Sequence, residues 1–248
     1  MTFERRYRPL LPNVHHINFN SIGDLKIIDK SVACVVIEPI QGGAGFLESK
    51  KEYLKKLRTK CNEMGVILIF DELQSGIGRT GKMFAFEHYK ITPDILVIGK
   101  ALGGGFPIGA IICNRKLMNK FQSNPILGHI TTFGGHPVIA KAGHETLKYI
   151  IKNNLVSKSN KKEELFRSLL KHDLIYEIRG KGLMLALIMK NDKIANYLVK
   201  DCLNNGLILF FLLYEKRAVR ITPPLTISNK EIIHGCNLII KSLNNYKN

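Results

Sequence analysis

The 248-residue chain has no tryptophan, and its 20 acidic residues are few beside 37 Lys and Arg, a formal net charge of +17. No apolar stretch reaches half of the roughly 20 residues that a membrane-spanning helix needs, the longest lying around 182–189 and 206–214, so no membrane partner is expected. The five cysteines, Cys34, Cys61, Cys113, Cys202 and Cys236, are odd in number, widely spaced and without a C-x-x-C pair. That pattern fits reduced thiols in a cytoplasmic protein. The first residues, MTFERRYRPLLP, carry neither an apolar h-region nor a small-residue cleavage site, so no secretory signal is expected. The 8 histidines, including His15 and His16, show no metal-ligand spacing with cysteines or carboxylates, and no metal is expected.

What is present is ordinary for a globular protein, with 45% apolar and 23% charged residues, and it excludes disordered, collagen-like and mini-protein classes. The positive charge is concentrated in residues 101–248, which carry +13 against +4 for residues 1–100. It is scattered as single residues and doublets, and 27 of the 37 basic residues are Lys, alongside 19 Asn. No basic block with interleaved aromatics appears, so a nucleic-acid partner is not expected.

Residues 32–37 (VACVVI) form a β-branched apolar run that enters the turn-rich EPIQGGAG, which predicts a buried strand and a loop. Ser49 and Glu52 have capping-box spacing ahead of Tyr53, Leu54, Leu57, Cys61 and Met64, with Gly65 at the C-cap position, which predicts a helix over 49–64. Further strands are expected at 66–70, 95–99 and 108–113, giving an α/β layered unit. Helices follow at 137–152 and about 157–171, then strands near 175–189, a helix near 191–204 and strands near 206–211 and 218–222. Ser228 and Glu231 are spaced to cap a last helix.

In open α/β sheets, ligands bind beyond the carboxyl ends of parallel strands. The residues there are Glu38, Asp71 and Lys100. Two acids and a base at successive strand ends can floor an active site; a structural ion-pair cluster is the alternative reading of the same three residues. Gly76-Ile-Gly78-Arg-Thr-Gly81 is a literal G-x-G-x-x-G, but Asp71-Glu-Leu-Gln74-Ser separates it from the strand and no helix opens within it, so a dinucleotide site is not expected.

Asp71-Glu72-Leu73-Gln74, the GIGRTG loop, Thr92-Pro93-Asp94 and ILVIGKALGGGFPIGA together resemble the class III, ornithine-type pyridoxal-phosphate aminotransferases. The resemblance extends from RYRPLLP and EPIQG through TTFGGHP at 131–137 to IRGKGLM at 178–184 and VRITPPLTIS at 219–228. It implies an α/β, fold-type-I transferase with a partial large domain (1–145, mixed sheet) and a small C-terminal α+β domain (146–248). It further implies transamination between an ω-amino donor, acetylornithine- or ornithine-like, and 2-oxoglutarate.

By the same resemblance Lys100 is the catalytic lysine that holds pyridoxal phosphate covalently, a role that desolvation at a strand end would assist. Asp71 corresponds to the carboxylate on the pyridinium nitrogen and Gln74 to the contact with the phenolic oxygen. Thr132 resembles the hydroxyl that reaches the phosphate of the neighbouring subunit's cofactor in a homodimer, and Thr131 lies where some members touch substrate. Arg220 corresponds to the arginine that grips a substrate carboxylate, and Glu38 to the acid that covers it for one half-reaction.

The family's proteins are longer. The chain is therefore expected to start inside the large domain, without the phosphate-binding glycine/threonine loop or the ring-stacking aromatic, and with an apolar strand turned into an edge. Gly43, where members commonly carry an acid, is expected to loosen the EPIQG loop. A complementing N-terminal chain or a non-catalytic remnant follows as an alternative. Aminomutase, decarboxylase, 4-aminobutyrate and succinyl-diaminopimelate chemistries share the same cofactor floor.

Overall fold

The computed structural model describes Pro9 and residues 11–247; most of the RYRPLLP stretch lies outside them. In chain order the first half contains β1 (Cys34–Ile37), β2 (Ile40–Gln41), β3 (Leu47–Glu48), α1 (Lys51–Met64), β4 (Ile67–Asp71), the single turn α2 (Phe86–Tyr89), β5 (Ile95–Gly99), β6 (Gly109–Cys113) and α3 (Arg115–Met118). The second half contains α4 (Pro137–Lys152), α5 (Leu155–Leu169), β7 (Ile175–Lys181), β8 (Met184–Met189), α6 (Asp192–Asn204), β9 (Phe210–Phe211), β10 (Ala218–Ile221) and α7 (Asn229–Asn244).

The first sheet has the order β1-β4-β5-β6, with β1, β4 and β5 parallel and β6 antiparallel, so it is mixed. Its two edge strands expose Val36 and Ile112. Apolar spacing along α1 buries Tyr53, Leu54, Leu57 and Cys61, and Gly65 ends the helix in the left-handed conformation that favours glycine. The expected Ser49–Glu52 capping box does not form. The N-cap is Lys50, whose N–H donates to Asn20 Oδ1 at 2.7 Å, and the buried Ser49 hydroxyl has no hydrogen-bond partner among the described residues.

The second sheet, β7-β8-β10-β9, is antiparallel throughout. The run expected as a strand over 206–211 pairs only at Phe210 and Phe211. All six side chains of β8 are buried. Because strand side chains alternate, Leu185, Leu187 and Met189 join the main core, while Met184, Ala186 and Ile188 face the other way onto Ile40, Phe46, Leu212 and Ala218. Ile40 and Phe46 thus seat the loop that follows β1 against the second sheet. The Ser228–Glu231 capping box on α7 is present with both of its hydrogen bonds.

The GIGRTG loop joins the two halves of the chain. Leu183 N donates to Arg79 O at 2.9 Å, Ser159 Oγ to Gly78 O at 3.4 Å, and Asn160 Nδ2 to Gly81 O at 3.4 Å. Glu72, fully buried, accepts from Ala85 N at 2.5 Å and Phe86 N at 2.7 Å and fixes the far end of the same loop.

Candidate active site

Three parallel strands in adjacent positions deliver their carboxyl ends to one edge of the sheet. The register sets Ile37 beside Phe70 and Asp71 beside Val97, so the next residue of β1, Glu38, comes level with Asp71, and Lys100 follows directly on β5. Glu38 senses the other two charges. Burial raises the Glu38 carboxyl above its usual range, the Gly42 N–H bound to it pulls the other way, the like charge of Asp71 raises it further and the Lys100 ammonium lowers it.

Each side chain is held locally. Glu38 Oε2 accepts the Gly42 N–H at 2.8 Å, and Asp71 Oδ1 accepts the Leu73 N–H at 3.0 Å. Asp71 Oδ2 has no hydrogen bond among the described residues, so it is open to a donor from a ligand. Gln74 joins the group: a Cβ on Gly42 would lie 2.2 Å from Gln74 Oε1 and 3.2 Å from Glu38 Oε2, so this close approach requires glycine. Lys100 has φ of +45°, a left-handed backbone that costs a non-glycine residue about 1–3 kcal/mol and concentrates at functional positions. The expected desolvation of Lys100 is not found, because the residue is exposed.

Arg220 lies apart from this group. It sits on β10 opposite Ala186 of β8 and Phe210 of β9, with its guanidinium carbon 5.2 Å from the Phe210 ring centroid. No ion pair joins it to Glu38 among the described residues, and its charge is felt by the half-buried cation Arg79. Thr131 and Thr132 are exposed, in a stretch from 118 to 138 that is exposed throughout, and no hydrogen bond joins either to the cluster among the described residues.

Gly43 departs from expectation. The Tyr214 ring lies 2.8 Å from where a Cβ on Gly43 would stand, and Tyr214 N donates to Gly43 O at 2.9 Å, so the loop is packed rather than loosened. Sequence reasoning missed Phe210 and Tyr214 as neighbours of the site. The signal was the apolar excess of LILFFLLY at 207–214, more than a short edge strand needs. Among the described residues no three His, Cys, Asp or Glu side chains are grouped to hold a metal, and no helix is long and apolar enough to cross a membrane.

Comparison with known proteins bears on the family and the fold. Residues 9–243 match the family described as aminotransferase class-III. An ornithine aminotransferase from Toxoplasma gondii, whose structure shows partial occupancy of PLP at its active site, superposes with a TM-score of 0.88 at 33% identity, covering 97% of this chain and 58% of its own. An acetylornithine aminotransferase from Elizabethkingia anophelis gives 0.83 at 32% identity, covering 93% and 59%. An ornithine delta-aminotransferase from Plasmodium falciparum gives 0.83 at 30% identity, covering 96% and 62%. The chain therefore spans less than two thirds of the length of these relatives.

Proposed function

This chain belongs to the class III aminotransferase family, and from that premise we propose that it carries the catalytic floor of a pyridoxal-phosphate-dependent transaminase. The observation that carries the reading is the convergence of Glu38, Asp71 and Lys100 at three adjacent strand ends, with Lys100 on a strained backbone. The residues fit the cofactor. Lys100 offers an exposed amine, Asp71 keeps one carboxylate oxygen free for a ring N–H, and Gln74 stands beside them over Gly42.

Pyridoxal phosphate, when bound, supplies an aldehyde that condenses with amines and a ring that accepts the electron pair left on the substrate carbon. With the cofactor bound, Asp71 would hold the proton on its ring nitrogen, and Lys100 Nζ would hold the cofactor and serve as the base that takes and returns the substrate proton. Arg220 offers a planar fork to a substrate carboxylate. Thr132 is assigned to the phosphate of a neighbouring subunit's cofactor, Thr131 to the substrate and Glu38 to covering Arg220; for these three the support is the motif match alone.

The substrates proposed are an acetylornithine- or ornithine-like ω-amine and 2-oxoglutarate, in the cytoplasm and in arginine biosynthesis. The partner is a second copy of the chain or a complementing N-terminal chain, and the domain boundary falls at 145/146, within α4. The test is to add donors one at a time to chain loaded with pyridoxal phosphate. Acetylornithine or ornithine should bleach the visible absorbance and 2-oxoglutarate should restore it. A response to 4-aminobutyrate or succinyl-diaminopimelate alone would reassign the donor, and no response to any of them would contradict transamination by this chain.

A further inference from the structure

The arginines around the second sheet are not treated alike. Arg179 is tied to Glu177 and Glu215, and Arg217 to Glu215, in a network of ion pairs. Arg220 makes no side-chain hydrogen bond or ion pair among the described residues. Its guanidinium lies over the face of Phe210, and its charge is felt by Arg79, a like charge. Antiparallel pairing makes Phe210 and Arg220 direct cross-strand partners on one face of the sheet, and 5.2 Å from guanidinium to ring centroid is within the range of a cation–π contact.

We propose that Phe210 is a positioning residue, whose ring holds the Arg220 guanidinium in register for a substrate carboxylate in the half-reaction in which Glu38 does not cover it. The difference from an acidic partner is physical. A carboxylate on Arg220 would occupy the fork and would have to be displaced before an anion bound, whereas an aromatic face orients the planar group from one side and leaves its N–H edge free. Arg79 adds to the positive potential at that edge, and its own N–H groups are bound to the carbonyls of Leu183 and Pro223. Phe210 is 58% exposed, so the ring stands at the surface beside the guanidinium. This inference rests on the reading that Arg220 grips a carboxylate.

The experiment is isothermal titration of the full chain with glutarate, and with uncharged glutaramide as control, at low ionic strength. Thermal melts verify that every variant is folded. Phe210→Leu should weaken glutarate binding about two- to fivefold, Phe210→Tyr should restore it, and glutaramide should respond to neither. If Phe210→Leu binds glutarate as tightly as wild type while Arg220→Gln does not, Phe210 positions nothing and the proposal is overturned. If wild type shows no preference for glutarate, or Arg220→Gln keeps it, the carboxylate role of Arg220 falls and the proposal with it. Borohydride trapping at Lys100, run on the same preparations, reports separately on the cofactor floor.

Discussion

Arg79 Nη1 donates to the carbonyl of Pro223 at 2.5 Å, which ties the loop after β4 to the turn after β10. The same nitrogen reaches Leu183 O at 3.2 Å, so one buried guanidinium bridges the two halves of the chain through backbone acceptors. Burial lowers its pKa to about 10, with the like charge of Arg220 contributing, and it stays protonated at neutral pH. Replacing Arg79 with Ala leaves both carbonyls without that donor in a buried place. A loss of about 2–4 kcal/mol is expected, read as a lower denaturant midpoint. Arg79→Lys, which keeps the charge but not the planar fork, should recover only part of it.

Glu72 gives the folded chain a pH dependence of predictable sign. Burial pushes its carboxyl up to about 7 from an ordinary 4.5, even though two backbone N–H groups bound to it pull the other way. Between those values the folded chain keeps a proton that the unfolded chain has released. Its contribution to stability is therefore full below about 4.5 and is lost as pH rises through 7, a swing on the order of 3 kcal/mol. Melting temperatures measured from pH 4.5 to 8 should fall more steeply for wild type than for Glu72→Gln. Parallel curves would show that Glu72 does not set the slope.

The contact between Gly43 and Tyr214 makes these positions interdependent. Gly43→Glu puts a Cβ 2.8 Å from the Tyr214 ring and should cost about 1–3 kcal/mol. In Tyr214→Ala the same substitution should cost less, so a double-mutant cycle should give a coupling of about 1 kcal/mol. Additive effects would mean that the ring moves aside freely.

At the start of α1 the cap comes from a residue distant in sequence. Asn20 accepts Lys50 N–H at 2.7 Å and donates to Glu48 O at 3.0 Å, while Ser49 Oγ has no partner among the described residues. Asn20→Ala should therefore destabilise by about 1 kcal/mol and Ser49→Ala by less than half of that, as judged by chemical denaturation.

The strand ends were legible because they need only local information. A β-branched run, the polar residue that ends it and parallel order place Glu38, Asp71 and Lys100 without knowledge of the rest of the fold. The capping boxes show the limit. Ser228–Glu231 forms on an exposed helix start, whereas Ser49 lies beneath the loop after β1, where Asn20 captures the first free N–H. Arg220 could be named from its motif, but its pairing with Phe210 depends on a hairpin register that the apolar run at 207–214 leaves open. Thr131 and Thr132 lie in an exposed stretch that no contact within the chain ties to the cluster. The exposure of Lys100 was missed because burial was carried over from the strand to the residue that begins the turn after it.

The most direct test is the reaction of the chain with pyridoxal phosphate, followed by borohydride reduction and peptide mapping, beside a Lys100→Ala control of equal folded content. Covalent label on Lys100 in wild type, and none above background in the control, is the expected result. Label spread over several of the 27 lysines, or equal in the control, would contradict the assignment of Lys100 as the cofactor-bearing residue.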